Sequence, residues 1–401
     1  MTLSTSYLSR PFLFLSLVMI LLGSCASSGL SGAVKSLDAK GKYRIAVLPI
    51  ENLSGAPAPF KDLRLSIMQK MKQRGMTLLG EEALDRFMEK NRIRYIGGLD
   101  GPTADAFRKE ADTDAVLISS LERYDETFPA KISLICRLVS TGEHPVVLWA
   151  DRAGLSGNDS PGLLGLGIIE DPLVLTDKAL TLLADSLAGY LSAGEKKGDG
   201  VAARRQPPLE GPYRSPVTGY RYQRVEVGGR SSFRPRIEYR SLVIRPDKRY
   251  RVAVLPFQNL SVRKNAGEIV ALEFIGQLSK LGNVSVVEPG VIREEMLSKR
   301  IIMSGGVSLA DVDLLSDYPE VDLIVSGTVF DYQDYIGFGG KPKVDFSAQV
   351  IDRKSKQLVW ASESQNEGDD GVLFFDLGRL NTANAMASEM VGITVGQMMS
   401  E

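Results

Sequence analysis

The chain has one histidine, His144, and two cysteines, Cys25 and Cys136. A lone histidine cannot by itself build a metal centre or a catalytic triad. His144 sits before a proline in a hairpin turn, where a solvated side chain is expected. The glycine-rich stretch 162–167 lacks the Lys-Ser/Thr of a phosphate-binding loop. Asp369 and Asp370, flanked by Gly368 and Gly371, read as a solvated turn, with weak cation binding as the alternative. No nucleophile stands beside a base at readable spacing. The expectation is a protein that is not an enzyme, with no catalytic residue, no metal and no cofactor. An excess of either charge is also missing: the net charge is −1, which argues against a general nucleic-acid binder. Nor is there a hydrophobic run long enough for a membrane-spanning helix.

The apolar run 12–22, preceded by Arg10, is too short for such a helix and fits the core of a signal peptide. It closes in Leu22-Gly-Ser-Cys25, which resembles a bacterial lipobox. In that reading residues 1–24 are removed and Cys25 is lipidated, with Ala26 after it implying the outer membrane. Residues 25–41 are small and polar and read as a tether. Cys136, the one cysteine left, lies in an apolar strand pattern and reads as a small buried hydrophobe.

Residues 43–54 read YRIAVLPIENLS, and residues 250–261 read YRVAVLPFQNLS. The spacing, Tyr43 to Tyr250, is far beyond the roughly 20–50-residue periods of solenoids. It marks the duplication of a whole domain. The runs at 45–48 and 252–255 are short, apolar and β-branched, as in buried strands. Pro49 and Pro256 then stop the ladder. Asn52-Leu-Ser and Asn259-Leu-Ser supply side chains suited to turns and helix caps, and a helical pattern follows each. Asp114 opens DAVLISSLERY, and Asp322 opens its counterpart DLIVSGTVFDY. A hairpin and a closing helix follow in both copies, and Trp149 corresponds to Trp360. Each copy reads strand–helix–strand–helix–(helix)–strand–hairpin–helix. The predicted fold class is α/β (α+β): two tandem mixed-sheet domains, 42–194 and 248–401.

Between them, residues 195–247 are rich in proline and arginine, with interleaved tyrosine. The plain reading is a linker with solvated arginines. The sharper one is a strip for anionic head groups or an acidic partner, with Arg221 and Arg224 as contact residues. Arg221, Val225 and Val227 also fit a short strand docked on a domain.

The AVLPxxNLS stretch, the two Asp-led strands and the VIDRKSKQLVW hairpin at 350–360 resemble the superfamily that contains the curli-secretion lipoprotein CsgG, the N-terminal domain of TolB and the penicillin-binding-protein activator LpoB. The resemblance covers both copies. It implies a mixed sheet with helices packed on it, comparable to an anticodon-binding domain. The stretch 332–343 is too short for the paired membrane strands of a secretion barrel, and TolB's propeller is absent. The expected function is a non-enzymatic outer-membrane lipoprotein on the periplasmic face, a docking platform in cell-envelope assembly. Its partners would be periplasmic or outer-membrane proteins and, through the anchor, the membrane. Contact would run through strand-end loops, where Asn52 and Asn259 stand, and through edge strands. The alternative is a ring-forming secretion component of the CsgG type, which would be a homo-oligomer.

Overall fold

Both copies of the repeated stretch become the central parallel strand of a sheet in the computed structural model. The structure describes residues 43–159, 167–196, 233–241, 244–245, 247–300, 321–335, 337, 340–372 and 379–399. A compact unit spans Lys42–Glu401 and contains both sheets.

In the first sheet, β1 (Arg44–Val47) lies parallel to β3 (Thr77–Leu78) on one side and to β4 (Ala115–Asp125) on the other. β5 (Lys131–Ser140) and β6 (Val147–Ser156) follow in antiparallel order. The second sheet repeats this with β8 (Tyr250–Val254) between β10 (Val284–Val286) and β11 (Leu323–Gln333), followed by β12 (Lys343–Asp352) and β13 (Gln357–Glu367).

The prolines act as expected. β1 and β8 end just before them, because a residue without an N–H cannot extend the ladder. The chain then re-joins the same neighbour through two-residue strands. β2 (Glu51–Asn52) pairs with β4, and β9 (Gln258–Asn259) pairs with β11. A bulge at Leu121/Arg123 in β4 recurs at Val329/Asp331 in β11. The stretch read as a linker contributes β7 (Ile237–Arg240), which pairs with β13 and covers that edge of the second sheet.

On the first sheet, α1 (Phe60–Gln73) and α4 (Pro172–Lys196) cover one face, burying Leu63, Ile67, Met71, Leu175, Ala179, Leu183 and Leu187 against Val47, Leu117, Leu134 and Leu138. Two ion pairs tie these helices, Lys70–Asp177 and Arg74–Asp185. On the opposite face α2 (Glu81–Lys90) and α3 (Gly101–Glu110) cover the β1 end. In the second unit α5 (Ala266–Ser279) and α7 (Ala383–Met399) occupy one face, and α6 (Pro289–Ser298) the other.

The two units pack together through α5. Ile269, Val270, Leu272, Phe274, Ile275 and Leu278 are buried around nearly the whole circumference of this helix. A helix apolar all round needs cover on all sides. α5 has its own sheet beneath it and Ile135, Val147 and Ala150 of the first sheet above it, in one continuous core.

Candidate functional site

The repeated stretch ends in the same turn in both units. Asn52 Oδ1 accepts hydrogen bonds from Ser54 Oγ (2.7 Å) and the Gly55 N–H (3.1 Å), and its Nδ2 donates to Ala56 O (3.1 Å). Asn259 Oδ1 accepts from the Ser261 N–H (3.0 Å) and Oγ (2.7 Å), and its Nδ2 donates to Arg263 O (2.7 Å). These are side-chain turns of the kind asparagine favours. They are not helix caps: Pro59 precedes α1 and Asn265 precedes α5.

The two loops differ in what lies on them. Over the first, Arg263 donates to Ser54 O (3.0 Å) and Glu122 O (2.6 Å). Asn265 donates to Leu53 O (3.2 Å). It does so from a left-handed backbone (φ 62°), a region that asparagine enters more readily than most residues. Leu53 is thereby 3% exposed and belongs to the core of the second unit. In the second loop Leu260 is 60% exposed and Val262 88%. The Leu260 N–H donates to Val329 O (2.9 Å), and Phe330, the next residue on that strand, is 43% exposed. Ala56 and Ala58 stand 207 positions before Arg263 and Asn265.

Behind the occupied loop, polar side chains from both units meet out of water. The Tyr332 hydroxyl and Asn384 Nδ2 donate to the two oxygens of Glu122. Asn384 Nδ2 also reaches Glu273 (3.0 Å), which faces Arg152 at 3.5 Å. Burial pushes the Glu122 carboxyl up to about 7 and raises Glu273 as well. Nearby, Arg137 of β5 holds Glu288 through Nη2 (3.1 Å) and Nε (3.3 Å), and donates to Gly97 O. Glu288 also accepts the Leu99 N–H at 3.2 Å. Lys131 donates to Tyr335 O (2.7 Å), and Asn381 donates to Asp159 (3.0 Å). Such groups are tolerated inside only when partnered.

Of the residues singled out from sequence, Asn52 and Asn259 fall on equivalent turns. Cys25, Arg221 and Arg224 lie outside the described residues, as do the signal segment, the tether and residues 162–166. Asp370 accepts from Asn366 Nδ2 and the Glu367 N–H, and Asp369 pairs with Lys341. Cys136 is buried against Ser119 Oγ (3.2 Å), and burial lifts its thiol to about 12. Among the described residues no group of three or more His, Cys, Asp or Glu is placed to hold a metal ion. No described helix is long and apolar enough to cross a membrane. Sequence reading missed Arg263, Asn265, Glu122, Arg137 and Glu288. A signal was present for two of these, since Glu122 and Arg137 are charges set within buried runs of their strands.

No family model matches the chain, and no curated protein matches it. Solved structures do. A PelC dodecamer from Paraburkholderia phytofirmans matches at 14% identity and a TM-score of 0.28, over 41% of this chain and 96% of that one. Lipoprotein GNA1162 from Neisseria meningitidis matches at 19% identity and a TM-score of 0.26, over 36% and 98%. The hypothetical protein CT253 from Chlamydia trachomatis matches at 12% and 0.25, over 38% and 99%.

Proposed function

We propose that this chain is a lipid-anchored protein of the periplasmic face of the outer membrane. It acts without catalysis, as a docking platform in cell-envelope assembly. The anchor rests on the apolar run 12–22 and on Cys25 after Leu22-Gly-Ser. The platform rests on one observation: the same strand-end loop occurs twice, closed by the second unit at Leu53 and open at Leu260. A loop that is covered in one copy is a contact surface by construction. Its uncovered twin leaves the large apolar side chains of Leu260 and Val262 in water, with Phe330 exposed on the strand it joins, and exposed apolar groups of this kind mark protein–protein sites.

The same packing weighs against a ring built by repeating this contact. α5 buries Ile269, Leu272 and Glu273, the last of them against Arg152 of the first sheet. At the corresponding positions α1 carries Asp62, Leu65 and Ser66. A second copy would thus offer a largely polar helix face to the open end.

The test is fractionation with complementation. The full chain should sediment with outer membranes, and Cys25→Ala should release it to the soluble periplasm. Loss of the gene should weaken the envelope barrier to large antibiotics, and only the anchored chain should restore it. A chain that is soluble with Cys25 intact, or a barrier indifferent to its loss, would contradict the proposal.

A further inference from the structure

The outer face of the second sheet has a counterpart whose occupant is known, because the first sheet carries α5 there. Glu122, Ser133, Ile135, Arg137, Ala150 and Arg152 of the first sheet face α5, α6 and α7 of the second unit. By the shared strand order and bulge, Phe330, Asp345, Ser347, Gln349, Ala361 and Glu363 take those places on the second sheet.

Two of these exchanges define what would fit. Arg152, which meets Glu273 of α5, is replaced by Glu363. The sealed Glu122 is replaced by the exposed Phe330, on the strand that the exposed Leu260 joins through its N–H to Val329 O. Around Glu363 the strip holds Asp331 and Asp345, directly paired across β11 and β12, with Lys343 bonded to Asp331 at 3.2 Å. Burial first, then Glu363 and Asp331, raise the Asp345 carboxyl against the opposing charges of Lys343 and Arg236.

We infer that this face is a docking surface for a helix-bearing segment of another protein, seated as α5 is seated on the first sheet. The segment brings an arginine and an asparagine ahead of its helix, to reach the carbonyls of Leu260, Ser261 and Phe330. It lays apolar side chains on Leu260, Val262 and Phe330. It carries a cation where α5 carries Glu273. The first-unit loop supplies the precedent for each contact: Arg263 on Ser54 O and Glu122 O, and Asn265 on Leu53 O. A second copy of this chain does not match that description. Its first unit has Ala56 and Ala58 at the two polar positions, and its own Arg263 and Asn265 are engaged internally.

The assignment rests on the docking-platform reading and can fail separately from it. The probe is a labelled peptide copying residues 261–279 with Glu273→Arg, titrated against the full chain in fluorescence anisotropy. Saturable binding is expected. Leu260→Asp or Phe330→Asp in the chain, exposed positions that leave the circular dichroism spectrum unchanged, should weaken it by about tenfold or more, as for hot-spot residues. Arg263→Ala in the peptide should do the same. A Glu363→Arg chain should reverse the preference and favour the peptide that keeps Glu273. No binding, or binding indifferent to these changes, overturns the assignment. So does self-association of the chain that Phe330→Asp abolishes, since the occupant would then be a second copy. If Cys25→Ala destroys complementation while Phe330→Asp leaves it intact, this surface is wrong and the platform reading stands.

Discussion

Tyr332 of the second unit donates its hydroxyl hydrogen bond to Glu122 of the first, with both side chains sealed from water. The bond joins strands 210 positions apart in the chain. It also places a carboxyl where ionisation is costly, which gives the fold a pH dependence of definite sign. The unfolded carboxyl loses its proton near 4.5 and the folded one near 7. Between those values the folded state keeps a proton that the unfolded state has lost, so stability falls as pH rises through the window and is level on either side. Glu268, lifted to about 7 by burial and by the nearby Glu51, acts in the same direction. The midpoint of thermal unfolding should drop between pH 5 and pH 7.5, and Glu122→Gln should remove much of the drop, roughly 3 kcal/mol. A Glu122→Gln chain with an undiminished slope would contradict this.

Arg137 and Glu288 form a buried pair across the two units. Removing one partner strands the other charge, which typically costs about 3–5 kcal/mol. Arg137→Met should therefore lower stability in denaturant titration by that amount. The double variant Arg137→Met, Glu288→Gln should recover part of the loss, because no bare charge remains. Equal losses in single and double variants would show that the pair contributes only through packing.

Phe274 of α5 packs on Phe257 and Phe346 within the core shared by the two units. Phe274→Ala should cost about 3–5 kcal/mol, in the range of large-to-small core changes. Because α5 has sheets on both sides, the loss should also loosen the first unit. Hydrogen exchange should rise at β5 and β6 as well as at β11 and β12. A rise confined to the second sheet would mean that α5 does not support the first.

The Cys136 thiol, buried and lifted to about 12, should resist alkylation at pH 8 in the folded chain. In a Cys25→Ala background its labelling should begin only with denaturation. Rapid labelling under native conditions would show that β5 opens locally.

Much of the fold was legible because it is written twice. The paired AVLP runs, the two Asp-led strands and the Trp149/Trp360 hairpins made the succession of strands and helices in both copies readable, though not the order in which the strands lie in each sheet. The prolines explained where β1 and β8 end, though not that β2 and β9 resume pairing beyond them. The junction between the units was less legible. Arg263 and Asn265 act on main-chain carbonyls of Leu53, Ser54 and Glu122, and a carbonyl leaves no mark in a sequence. The apolarity of α5 on every side was the available clue, and it reads as a need for cover only when set against the polar outer face of α1. Neither β7 nor the reach of α4 to Lys196 followed from the composition of 195–247, which resembles a linker throughout.

The two units form one body, held at α5 and at the occupied loop. The chain has two tryptophans, Trp149 in the core of the first unit and Trp360 in that of the second. Trp149→Phe and Trp360→Phe leave one reporter in each unit. Equilibrium unfolding of both variants is followed by tryptophan fluorescence and by backbone circular dichroism. A single body predicts that the two signals coincide in each variant, with the whole change in dichroism under one transition. A fluorescence transition that accompanies only about half of the dichroism change in either variant would mean that the units unfold independently, and would contradict it.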